Sequence, residues 1–205
     1  MSPLPRPSTA RGEATRRKLL DAAEIEFGEN GYVATSVSSI TRRAGVAQGT
    51  FYLYFPGKAD VLRELVQHMG RQLRRALSEA TAGVEGRLEV ERVGLEAFIR
   101  FSLEHQNLYK VVMESQFVDE SIYREYYQAL ADAYVVNLER AQAKGEIRPG
   151  DASAQAWSLM GTAHFLGLRY AIWRHEVPPQ AVLDATFDML AKGLAPEKAA
   201  RGDAA

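Results

Sequence analysis

Apolar residues fall at helical spacing along almost the whole chain, and no stretch reads as a strand. Leu19, Leu20, Ala23 and Phe27 line one face of a helix over 13–30, and Gly31 follows where a helix end favours a left-handed residue. Ser36 is placed to cap a short helix carrying Val37, Ile40 and Ala44 on one side, and Gly45 breaks it. A second short helix over 48–54 ends at Phe55-Pro56, because the residue before proline is pushed out of the α region. Leu62, Leu65, Met69 and Leu73 then keep helical register over 59–80, and glycines at 83 and 86 break the pattern. Beyond them lie helices over 88–105 and 107–114, a long one capped by Asp119 and stopped at Gly145, and another capped by Asp151 and running to about 174. A last helix opens at Pro178-Pro179 and ends at Gly193. The pattern predicts an all-α protein of about nine helices.

The domain reading follows from these breaks. It comprises a flexible arm (1–10, with three prolines), a helix-turn-helix domain (11–58), a linking helix (59–80), a ligand-binding and dimerisation domain (87–195) and a frayed tail (196–205). The chain has 205 residues and is 46% hydrophobic, enough for a real core. No run is long and apolar enough for a membrane span, the first residues lack the apolar segment of a secretion signal, and there is no cysteine; the expected compartment is the cytoplasm. Net charge is only −1, but it is divided unevenly. Residues 1–80 hold 12 basic against 8 acidic side chains, and residues 81–205 hold 13 against 18, so the basic excess lies where the helix-turn-helix lies.

The short second helix carries the candidate chemistry. Phe51 is its natural core residue, while Gln48, Thr50, Tyr52 and Tyr54 are polar; Gln and Thr bond base edges or phosphates, and a tyrosine hydroxyl reaches a phosphate beside the groove. Lys58 opens the next helix against the helix dipole, which a phosphate partner would explain. The run Thr35-Ser36-Val37, Ile40, Ala44-Gly45-Val46, Gly49-Thr50-Phe51-Tyr52, Tyr54-Phe55 and Lys58 resembles the N-terminal domain of the TetR family of bacterial repressors. One departure is Ala47, where the family usually has a serine or threonine capping the recognition helix. The resemblance implies that Thr50, Tyr52, Tyr54 and Lys58 contact double-stranded operator DNA, with Gln48 and Gly49 at the groove floor and Ser36, Ser38 and Arg42 near phosphates.

A homodimer is the expected assembly. The last two helices present Trp157, Met160, Gly161, His164, Phe165, Leu168 and Ile172, then Val182, Leu183, Thr186, Phe187 and Leu190, more apolar surface than one helix pair needs. The rings of the C-terminal part predict an inducer pocket lined by Phe98, Phe101, Tyr109, Met113, Tyr127, Trp157 and His164, suited to a bulky, mostly apolar small molecule. Arg100 and Arg169 favour an anionic end, such as an aromatic or fatty acid or its coenzyme A thioester; Glu104 and Glu114 would suit a cation instead. No cofactor or metal is expected, since the histidines are scattered and no nucleophile or phosphate-loop motif occurs. An enzyme and a helical protein-binding adaptor are the rival readings. The adaptor leaves Thr50, Tyr52, Tyr54 and Lys58 unexplained.

Overall fold

The computed structural model describes residues 9–195, in which there are nine α-helices and no strand. The expected tail and all of the expected arm except Thr9 and Ala10 lie outside the described residues. Among the described residues no helix is long and apolar enough to cross a membrane, and no group of three or more His, Cys, Asp or Glu side chains is placed to hold a metal ion. The helices form two compact units.

The first unit comprises residues up to 72 together with 105–127. Helix α1 (Ala10–Ala34) starts earlier than the periodicity suggests because the Thr9 hydroxyl accepts the Gly12 N–H at 3.1 Å. It kinks at Gly31, whose φ of 79° and ψ of 162° fall in a region open essentially to glycine alone. After it come α2 (Val37–Ala44), α3 (Gln48–Tyr52) and the first half of α4 (Lys58–Ala80). Leu19, Phe27, Ile40, Phe51, Phe55, Leu62 and Leu65 are among the side chains buried in this unit.

Helix α6 (Gln106–Val118) also belongs here, with the start of α7 (Glu120–Ala143), rather than to the C-terminal domain that the reading from 87 to 195 would give it. Its buried stripe of Leu108, Tyr109, Val111 and Val112 packs along α1. A methyl added at Gly28 would collide with the Asn107 side chain, so the two backbones approach closely. Periodicity shows that a helix has an apolar face but not which partner covers it.

The second unit joins the end of α4, α5 (Arg87–Glu104), most of α7, α8 (Ala152–Gly167) and α9 (Gln180–Leu194). One cluster is Leu138, Ala141, Ile147, Ala156, Leu159 and Leu194; another is Leu95, Ile99 and Leu183, with Phe98, Ala163 and Leu166 against it. Asp151 caps α8 by accepting the Ala154 N–H at 2.9 Å. The continuous helix expected to about 174 changes character: Leu168–Arg174 is π-helical, and the His175 and Glu176 N–H groups both reach back to the Tyr170 carbonyl. The wider turn buries Tyr170 and Ala171 while leaving Trp173 exposed.

Candidate nucleic-acid interface

Helix α2 is fixed at both ends by local chemistry. The Ser36 hydroxyl accepts the Ser39 N–H at 3.0 Å and the Ser39 hydroxyl accepts the Ser36 N–H at 3.1 Å, a reciprocal capping box. Gly45 ends the helix with a left-handed φ of 68°, and Val46 N–H returns to Thr41 C=O at 3.0 Å. Across the turn, α3 has no side-chain cap at Ala47, so its position depends on Phe51 and Phe55, both fully buried with ring centroids 5.7 Å apart. The helix is one residue pair shorter than expected: it ends at Tyr52, because the Leu53 N–H turns to Thr50 C=O and Tyr54 lies in the turn that follows.

Burying Phe51 and Phe55 turns the rest of α3 outward. Gln48, Gly49 and Tyr52 are exposed, Thr50 and Tyr54 are half-buried, and Ser36, Ser38 and Arg42 are exposed beside them on α2. A methyl at Gly49 would meet nothing of the chain within 4 Å. The sequence reading missed Leu53 and Val33, which are 72% and 87% exposed in the same unit. For Leu53 the signal was present: Phe51 and Phe55 stand one helical turn apart as core residues, so the residue midway between them must point away.

Arg43, also passed over, holds α2 on α1. Its guanidinium donates to Glu26 at 2.6 Å and to Glu29 at 2.8 Å. The Arg43 bond keeps the Glu26 carboxyl below the usual carboxylate range, against the opposing effect of burial.

Lys58 departs from the phosphate-facing role expected of it. Its ammonium donates to the carbonyls of Tyr32 at 2.6 Å and Thr35 at 2.7 Å, and stands 4.2 Å from the Tyr32 ring centre. Carbonyls of the last turn and C-cap of α1 supply the charge partner that the sequence reading sought in DNA.

The residues expected to line an inducer pocket fall in different units. Tyr109, Met113 and Tyr127 belong to the first, where Tyr123 and Tyr126 stack edge-on to Tyr127 at 4.8 and 5.0 Å; burial, then the neighbouring tyrosines, pushes the Tyr109 hydroxyl up. Phe98, Phe101, Trp157, His164 and Arg169 belong to the second. There Phe101 is buried, Phe98 packs on the Leu95–Ile99–Leu183 cluster, and burial lowers the pKa of His164. Trp157 and Arg169 are exposed, the Arg169 guanidinium 5.4 Å from the Tyr170 ring centre. A groove of about 740 Å³ does lie between α1 and α4, but it is lined by charged groups including Arg16, Asp21, Glu64 and Arg71 and contains none of the expected residues.

A short helix turned polar side outward on a buried aromatic pair, one glycine turn after its capped partner, defines a helix-turn-helix. Residues 19–65 match the model of the bacterial regulatory proteins, tetR family. Over these residues the chain carries the N-terminal domain of tetR-family bacterial regulatory proteins. The fatty acid metabolism regulator protein of Bacillus subtilis (strain 168) is 46% identical over 59 residues, 28% of this chain and 30% of that protein. The HTH-type transcriptional repressor LfrR of Mycolicibacterium smegmatis is 28% identical over 188 residues, 89% of this chain and 91% of LfrR. Among solved structures, the transcriptional regulator FadR from Bacillus subtilis in complex with stearoyl-CoA aligns with a TM-score of 0.75 at 24% identity, covering 86% of this chain and 98% of that one.

Proposed function

We propose that the protein is a repressor that binds a palindromic operator as a homodimer and is released by a bulky, mostly apolar acyl compound, with a fatty acyl coenzyme A thioester as the leading class. The observation that carries the DNA reading is the outward polar face of α3, with Gln48, Thr50 and Tyr52 on a helix too short to be stable alone and Tyr54 in the turn after it. Ser36, Ser38 and Arg42 flank it toward phosphate, with the Ser36 hydroxyl shared between its cap and that contact.

The ligand reading rests on the tyrosine group of the first unit, with Tyr109 buried and Tyr123, Tyr126 and Tyr127 half-buried, and on the ring-rich second unit, together with the stearoyl-CoA bound by the B. subtilis FadR. A gel-shift titration tests both halves. Affinity for a duplex selected from a random pool should fall steeply with salt, and stearoyl-CoA or a shorter homologue should release the DNA; a flat salt dependence, or no release by any thioester, overturns the corresponding half.

Gly49 gives a sharper check, because two effects have opposite sign. Gly49→Ala should raise stability by about 0.5–1 kcal/mol, since the site is open and alanine is the better helix former, yet weaken DNA binding by crowding the groove floor. Tighter DNA binding by the stabilised variant would remove Gly49 from the interface.

The dimer reading rests on exposed apolar side chains of the last helices: Trp157 and Phe165 on α8 and Met189 on α9. Charging this face with Phe165→Glu should yield monomers in native mass spectrometry and weaken operator binding by about a hundredfold, the loss of a second tethered half-site. A dimer that persists at micromolar concentration in that variant would place the interface elsewhere.

A further inference from the structure

The last turn of α1, beyond its kink at Gly31 and leading into α2, is gripped from two sides on a single residue. Tyr32 N–H donates to Glu114 Oε1 of α6 at 2.7 Å, and Tyr32 C=O accepts from Lys58 Nζ of α4 at 2.6 Å. Gly31 C=O, one peptide back, accepts both the Thr35 N–H at 3.2 Å and the Thr35 hydroxyl at 2.7 Å. Thr35 C=O takes the second bond from Lys58 at 2.7 Å, and Ser36 immediately begins the capping box of α2. So where the helix-turn-helix leaves α1, the Tyr32 and Thr35 carbonyls are held by Lys58 of α4, and the Tyr32 N–H is held by a side chain 82 positions away in sequence.

Gly31 makes this contact geometrically available. A Cβ there would stand 3.2 Å from Glu114 Oε1, and the backbone lies in a region that side chains do not tolerate, so the glycine supplies both the kink and the space for the carboxylate. Glu114 is half-buried on α6, whose apolar stripe anchors it along α1, so the carboxylate is presented by a rigid element.

We infer that Glu114 is a positioning residue for DNA binding: without touching DNA, its carboxylate fixes the Tyr32 peptide and thereby the departure of the helix-turn-helix from α1. This also assigns Glu114 a task other than the cationic-ligand contact considered for it from sequence. The inference rests on the DNA-binding reading above.

Its test exploits a sign. Removing a negative charge near a polyanion tightens binding on electrostatic grounds alone, whereas loss of positioning weakens it. Purified full-length Glu114→Ala, Glu114→Asp and Glu114→Gln proteins are compared with the unaltered chain by fluorescence anisotropy on the selected duplex, well below their melting temperatures. Glu114→Ala should raise the Kd about tenfold with the salt slope unchanged. Glu114→Asp, with the same charge but one methylene less reach, should do the same, and Glu114→Gln, which keeps an acceptor at full reach, should stay within about threefold. A Kd for Ala or Asp within twofold of the original, or tighter, overturns the inference, as does Gln behaving like Ala.

The Tyr32 amide resonance provides a readout independent of DNA. It should be shifted downfield and slow to exchange with Glu or Gln at 114, and lose both properties with Ala or Asp; no change at Tyr32 in the Ala variant also overturns the inference. If the unaltered chain binds no duplex while the Tyr32 amide still follows residue 114 in this way, the DNA-binding reading fails and the grip on Tyr32 stands.

Discussion

Replacing Arg87 by methionine is expected to destabilise the second unit by about 3–5 kcal/mol, because it strands a buried carboxylate. The Glu91 side chain is 4% exposed and that of Arg87 10%, so neither charge is well solvated. Arg87 Nε donates to Glu91 Oε1 at 2.7 Å, the Tyr134 hydroxyl donates to Glu91 Oε2, and the guanidinium stands 5.3 Å from the Tyr134 ring centre. Burial foremost, and then the Glu91 charge, pushes the Tyr134 hydroxyl well up, which keeps it a neutral donor. Methionine fills similar space but leaves the anion with one neutral partner.

The melting temperature should fall by roughly 6–20 °C for a chain of this size. Charge burial rather than lost packing is the claimed cause, so replacing Glu91 by methionine as well, with Tyr134→Phe to remove the stranded hydroxyl, should recover most of the loss. A single variant that melts within about two degrees of the original would show that the pair contributes little. A triple variant as unstable as the single one would move the cause to packing.

Phe51→Ala should cost about 3–5 kcal/mol in the first unit and abolish DNA binding. Phe51 is fully buried, between Tyr52 at 5.4 Å edge-on and Phe55 at 5.7 Å, and Phe55 in turn carries the Arg16 guanidinium at 5.1 Å. A helix as short as α3 does not form by itself, and Ala47 gives it no cap, so tertiary contact through Phe51 is what holds it. Ala47→Ser should return about 1 kcal/mol by supplying the cap, though not the cavity. Chemical denaturation followed by tyrosine and tryptophan fluorescence measures both effects. A loss below about 1 kcal/mol would mean that α3 is held by something other than its aromatic core.

Both variants concern residues the sequence ranked differently. Phe51 was legible as core because its neighbours are polar and Phe55 follows one turn later, so α3 and its outward face could be read before any coordinates. Arg87 and Glu91 stand one helical turn apart on α5, but nothing in the sequence joins them to Tyr134, 43 positions further on, and so α5 to α7. The same holds for the inducer residues: their ring content was readable, but Tyr109 and Tyr127 fold with α1 while Phe98 and Trp157 fold with α8 and α9.

The sequence by itself determined the elements whose stabilising contacts span only a few residues. These include the cap at Ser36, the left-handed turn at Gly45, the Asp151 cap and the absent cap at Ala47. Each is settled by side-chain size and hydrogen-bonding groups acting on adjacent backbone, and so does not depend on the rest of the fold. Only the tertiary structure decided that α6 lies along α1, that Glu26 takes Arg43, that Lys58 turns to the carbonyls at the end of α1, and that Glu114 reaches the Tyr32 N–H. A charged side chain or an apolar stripe states that a partner is needed. Which partner it finds is set by the packing of helices distant in sequence, where several pairings satisfy the same periodicity and only one satisfies all the buried surfaces and hydrogen bonds together.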